Sequence, residues 1–226
     1  MISRYSLYTT ADLRDRFDLA AGLPKGVKPH YNISPTLQAP VIVNNGGDIS
    51  VQQMSWGLLP KGTKDTNSVF RYKTYNVPSE KILAKHSWDM AVRQHRCLVP
   101  ANGFYQLAAN GNERRAYYTQ LKDAPLFAFA GIYSSWNDEA GKTHSTYSVI
   151  TSQAPHALRH LGDRMPIILS RNEESRWLDT SVTDANALFD MLRPASSEQL
   201  HIIEVSDGIY SPKIDTPDLI APKNRG

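Results

Sequence analysis

Apolar and polar positions alternate along most of this chain with the two-residue period of β-strands, while helical periods are short and few. Residues 2–8 alternate. Thr9 or Thr10 then stands where a helix cap belongs, ahead of residues 11–21, with Leu13, Phe17 and Ala20 on one face and Gly22 as the stop. Strands are expected over 39–43 and 49–59, joined through Asn44-Asn45-Gly46-Gly47, a strong hairpin signal. A polar loop, KGTKDTNS, follows. Farther on, RRAYYTQL, LFAFAGIYSSW and THSTYSVITS read as three strands of a meander, and HLGDRMPIIL as a loop feeding a short buried strand. RNEESRWLD, capped by Ser170, and DANALFDMLR read as helices, LHIIEV as a closing strand, and the Pro-rich tail from Asp207 as a surface wrap. Many short strands with short peripheral helices predict an α+β fold with a curved, barrel-like, mostly antiparallel sheet, one domain over residues 1–226.

The stretch NVPSEKILAKHSWDMAVRQHRCLVPANGFYQL, residues 76–107, is the densest in signals. Ser79 and Ser87 are candidate caps for short helices. Cys97, Leu98 and Val99 form an apolar run, Pro100-Ala101-Asn102-Gly103 punctuates, and Phe104 to Leu107 resumes an extended pattern. The spacing predicts a hydrophobic hairpin with Gln106 as its single polar projection, and on spacing alone that is a surface Gln on an edge strand.

Composition narrows the classes. A chain of 226 residues, 41% hydrophobic, can bury a full core. A net charge of +3 with dispersed Lys and Arg permits a nucleic-acid partner without demanding one. The one cysteine excludes an internal disulfide and suits a reducing cytosol, and the seven His do not cluster, so neither a metal nor another cofactor is expected. No run reaches membrane-spanning length and the N-terminus lacks a signal-peptide core, so a cytoplasmic protein without membrane contact is expected.

The ordered set Arg4-Tyr5, HYNISPT, WGLLP, Asn76, RCLVPANGFYQL, GIYSSW, TYSVITSQA, GDRMPIIL, RWLD and VSDGIYSPK spans nearly the whole chain. Together these segments resemble the SOS response-associated peptidase family, whose members process abasic sites in single-stranded DNA during the DNA damage response. The resemblance implies a cysteine directly after the initiator Met, whose α-amine and thiol capture the abasic aldehyde as a stable ring. An α-amine with a pKa of about 7.7–8.0 keeps a useful neutral fraction near neutrality. An Asn, a Glu and a His line the family's site, the last two moving protons.

At the matching positions this chain carries Ile2 for the cysteine, Gln106 for the Glu and Gly162 for the His; Asn76 is retained, and the family's neighbouring Arg is Pro78. Ile2 has no heteroatom with which to close a ring, and its bulk disfavours removal of Met1. Gln106 does not titrate. His160 is the one nearby candidate for a substitute base, and Cys97 reads as a small buried hydrophobe. No catalytic set is intact. Arg4, Asn76, Arg164 and Trp56 match family positions that contact DNA, although each has a plain structural role as its alternative: surface charge, turn former or core aromatic. The family's second Trp is replaced by Lys61-Gly62.

The sequence therefore predicts a family member unable to crosslink an abasic site, binding single-stranded or junction DNA non-covalently at most. Two alternatives stay open: a protein-interaction or regulatory module without DNA binding, and a divergent hydrolase-like activity dependent on His160.

Overall fold

A computed structural model describes residues 2–59, 61–63, 65–82, 86–110 and 113–223. In chain order, β1 (Tyr5–Leu7) precedes α1 (Leu13–Arg16), β2 (His30–Ile33), β3 (Gln38–Asn45) and β4 (Asp48–Trp56). Next come α2 (Ser68–Tyr72), β5 (Asn76–Pro78), α3 (His86–Gln94), β6 (Arg96–Ala101), β7 (Gly103–Asn110) and β8 (Glu113–Leu121). The chain continues through β9 (Phe127–Asn137), β10 (Thr143–Gln153), β11 (Arg164–Pro166), β12 (Ile168–Leu169), α4 (Arg171–Leu178), α5 (Ala185–Asp190) and β13 (Leu200–Val205).

The strands in the order β10-β4-β3-β6-β9 form a sheet that closes when β9 pairs back onto β10. Strands of alternating direction cannot close a ring of odd number without one parallel pair, and β4–β10 is that pair. Short β5 and β11 extend the ring from β10, and β12 from β9. A second, antiparallel sheet, β13-β8-β7-β1-β2, packs against it. The fold is α+β with a curved, mostly antiparallel barrel and short peripheral helices, as the alternating pattern predicts.

Three apolar clusters follow from the pleat. Cys97 and Val99 of β6 point inward with Tyr5, Trp56, Phe104 and Phe129. Leu98 points outward to a cluster with Ile42, Ile132 and Trp177 beneath the helices. The run CLV is continuous because both faces of β6 are covered. On the outer face of the second sheet, Tyr105, Tyr118 and Val205 are covered by Ile209 and Leu219 of the tail. No helix is long and apolar enough to cross a membrane among the described residues.

Several local expectations are corrected. The expected hairpin over 97–107 is absent: β6 pairs with β3 and β9, whereas β7 pairs with β1 and β8, so the chain crosses from one sheet to the other. Asn102, fully buried, secures the crossing by accepting from the backbone N–H of Tyr8 (2.7 Å) and Thr9 (3.1 Å) and donating to Thr9 Oγ1. Gly103 is required there, because a Cβ would lie 2.4 Å from the Tyr118 ring. The expected helix over 11–21 is four residues long. Asp18 takes a left-handed conformation (φ 48°) and the Leu19 N–H reaches back to Arg14 O, closing the helix well before Gly22. Ser79 begins a 3-10 turn after Pro78, and Ser87 falls inside α3. By contrast α4 carries the expected Ser170 cap, completed by Glu173 as a capping box.

Candidate functional site: a cleft at the chain start

The first residues after Met1 run along the inner end of β7. The register Tyr5↔Phe104, continued by the Tyr105 N–H to Arg4 O bond (3.0 Å), sets Ser3 opposite Gln106. From the other side, Asn76 at the start of β5 donates Nδ2 to the carbonyl of Ile2 at 2.6 Å. Parallel pairing of β5 with β10, Asn76↔Val149 through Pro78↔Thr151, holds Asn76 there, and Thr151↔Pro166 brings β11 alongside. The elements that carry Ile2, Asn76, Gln106 and Arg164 therefore converge, although they are far apart in sequence.

Each predicted position has a definite environment. Ile2 is 1% exposed and packs into the inner cluster. Gln106 is 4% exposed on a central strand, which corrects the surface-edge expectation; its Oε1 accepts from Thr119 Oγ1 (3.1 Å) and its Nε2 is buried without a partner. Asn76 is also buried, with Oδ1 unpartnered. Such orphans are costly, on the order of 1–3 kcal/mol each, and mark places where a polar ligand atom would be welcome. Gly162 ends a 3-10 turn, His156–Leu161, with φ +149°, and a Cβ built on it meets nothing within 4 Å. The space for a side chain is open and no side chain enters it.

The basic residues are less free than the sequence suggests. Arg164 donates Nη2 to Glu80 Oε2 (2.8 Å) and to Thr151 O (2.6 Å), and Nε to Thr151 Oγ1. Partial burial works against charge on Glu80, but the Arg164 hydrogen bond and charge outweigh it, so its carboxyl sits below the ordinary range. Arg4 is half-buried beside Tyr75, its Nη1 on Ser3 O and its Nε unpartnered, and burial lowers its pKa.

Trp56 is corrected. It is 0% exposed, donates Nε1 to Tyr75 O (2.7 Å) and stacks on Tyr147, so its ring has no face to offer a base. The core-aromatic alternative describes it. Cys97 is fully buried and burial pushes its thiol far up, leaving no thiolate for attack. His160 is exposed on the 3-10 turn before Gly162. Met1, whose removal Ile2 disfavours, lies outside the described residues.

Two features escaped the sequence reading. Phe70 (52% exposed) and Tyr72 (69% exposed) stand on α2 interleaved with exposed Arg71 and Lys73, immediately before the strand that carries Asn76. The alternation in FRYK was the available signal. Glu80 as the partner of Arg164 had none, because 84 residues separate them.

The cleft can hold a polar group between buried amides, but among the four family positions no titratable side chain or thiol is present. The family model described as SOS response associated peptidase (SRAP) matches residues 1–212. Abasic site processing protein YoaM of Bacillus subtilis is 31% identical over 99% of both chains. Abasic site processing protein HMCES of Gallus gallus is 30% identical over 88% of this chain and 68% of its own. A crystal structure of a Bacteroides thetaiotaomicron protein superposes with TM-score 0.86 at 24% identity over 98% of this chain and 99% of its own, a likeness of fold. The protein belongs to the SOS response-associated peptidase family.

Proposed function

We propose that the protein engages abasic lesions in single-stranded DNA and holds them without a covalent bond. The carrying observation is Ile2. It stands where the nucleophile would, packed in the core and tied by its carbonyl to Asn76. A hydrocarbon side chain supplies no thiol to trap an aldehyde, and a buried neutral Gln106 supplies no proton.

Binding is supported by what surrounds this point. Gln106 Nε2 is a donor and Asn76 Oδ1 an acceptor, both buried and unpartnered, which suits the hydroxyl-bearing sugar of an abasic site better than an apolar ligand. Phe70 and Tyr72, flanked by Arg71 and Lys73, have the aromatic and basic interleaving that single strands require. The DNA-independent module is favoured by one observation, the neutralisation of Arg164 by Glu80.

Fluorescence anisotropy with a labelled single strand carrying an abasic site, titrated across salt, separates these readings. Saturable binding that weakens with salt and leaves no complex after heat and denaturant is the expected result. A band that survives denaturation would sink the non-covalent reading. Absence of binding at low salt would leave the interaction module.

A further inference from the structure

A second cavity lies at the start of β10, along Thr143 to Thr146, ahead of the point where Asn76 pairs with Val149. It encloses about 350 Å³ between β4, the entry to α2 and the start of β10. That volume lies at the lower end for small-molecule sites and fits a ligand of mononucleotide size. Of the described side chains that line it, only Lys142 and His144 ionise, and both are bases. Gln53 presents a buried Oε1 with no hydrogen-bond partner. Thr36, on the wall, holds a left-handed backbone (φ 76°) that a β-branched residue avoids, pinned by its N–H on Trp56 O at 2.8 Å. Strain of this kind concentrates at ligand sites.

The mouth adds an aromatic. Trp136 and His144, directly opposite on β9 and β10, stack at 4.6 Å and 17°. Trp136 borders a smaller cavity of about 180 Å³ with Lys61, Asp138 and the exposed Glu139, and its Nε1 is buried without a partner. Of these two carboxylates Asp138 is already engaged: Oδ2 with His144 Nε2 (2.9 Å), Oδ1 with the backbone N–H of Ala140 and Lys142. It therefore fixes the imidazole and the turn that presents Lys142.

From the cavity, the two bases, the orphaned acceptor and the indole, we propose that this is a nucleoside monophosphate site. The phosphate is drawn by Lys142, with Lys61 beyond it; a base amine or ribose hydroxyl donates to Gln53 Oε1; the base lies at Trp136. The same chemistry is offered by a free nucleotide and by the phosphorylated end of a strand. The site shares none of Ile2, Asn76, Gln106 and Arg164 with the cleft at the chain start, although Trp56 and Val69 of α2 line it, and it does not depend on what that cleft binds.

Calorimetric titration of the whole protein with adenosine 5′-monophosphate tests it, with adenosine and inorganic phosphate alongside. Binding of the monophosphate with a dissociation constant below about 1 mM is expected, tighter than either fragment. Lys142 is exposed on a turn, so Lys142→Glu leaves the fold intact and is expected to weaken binding at least about tenfold. Gln53→Leu is expected to cost about fivefold. Displacement of the monophosphate by a 5′-phosphorylated trinucleotide, and not by its unphosphorylated form, would identify a strand end as the source; failure of both to displace it would identify the free nucleotide. No heat of binding at millimolar monophosphate, or full affinity in both variants, overturns the proposal.

Discussion

Asn76 donates its side-chain amide to the backbone carbonyl of Ile2 at 2.6 Å, inside the protein. This contact ties the chain start to the first residue of β5.

Restoring the family's reactive side chains should restore the chemistry. A variant with Ile2→Cys, Gln106→Glu and Gly162→His is expected to form a denaturant-resistant complex with an abasic oligonucleotide, while the native chain forms none. The new imidazole enters open space, but the φ of +149° at Gly162 costs about 1–3 kcal/mol. Loss of the buried Ile2 side chain adds about 2 kcal/mol. Circular dichroism before the gel confirms folding, and a folded variant with no shifted band would mean that the cleft has lost more than three groups.

Phe70 and Tyr72 are exposed and contribute little to packing. Replacing both with Ala is expected to leave the melting temperature within a degree or two, since surface changes move stability by about 0.5 kcal/mol or less. Single-strand affinity should fall about tenfold or more, because stacking is worth about 1–3 kcal/mol per base. Unchanged anisotropy would remove α2 from the binding surface.

Glu80 neutralises Arg164 through a 2.8 Å pair. Glu80→Gln should free the guanidinium for a phosphate, tighten single-strand binding several-fold and steepen the logarithmic salt slope by about 0.7, the value for one added phosphate contact. The same pair has an acid signature. The Glu80 carboxyl is depressed in the folded state, so its contribution is present above the unfolded carboxylate pKa and is lost as pH falls through the folded value. The native protein should lose stability on acidification below about pH 4.5, and Glu80→Gln should flatten that limb in urea titrations. With Glu80 42% exposed, the effect is a fraction of a kcal/mol. An identical acid limb in the variant would show that the pair contributes nothing to folding.

Much was legible from local pattern. Alternation marked the strands, Asn44 to Gly47 the hairpin between β3 and β4, and Ser170 with Glu173 the start of α4, because each of these signals acts within a few residues. The motif order reached the family, and the residues at positions 2, 106 and 162 carry the proposal that crosslinking is absent. Partners were not legible. Gln106 had the pattern of a surface residue, and the family resemblance implied a groove aromatic at Trp56, but pairing across the two sheets puts both inside. Pro100 to Gly103 carried turn residues but serves as a crossing, because Asn102 holds it to Thr9 and Tyr8, more than ninety residues earlier.

What the sequence determines by itself is chemical capacity: the side chains of an isoleucine, a glutamine and a glycine supply neither a thiol nor a titrating proton in any fold. Only the tertiary structure decides where these residues stand, which polar atoms are left without partners, and that Glu80 pairs with Arg164. The reason is range: reactivity belongs to the side chain, whereas burial, pairing and hydrogen-bond satisfaction depend on residues brought together by folding from distant parts of the chain.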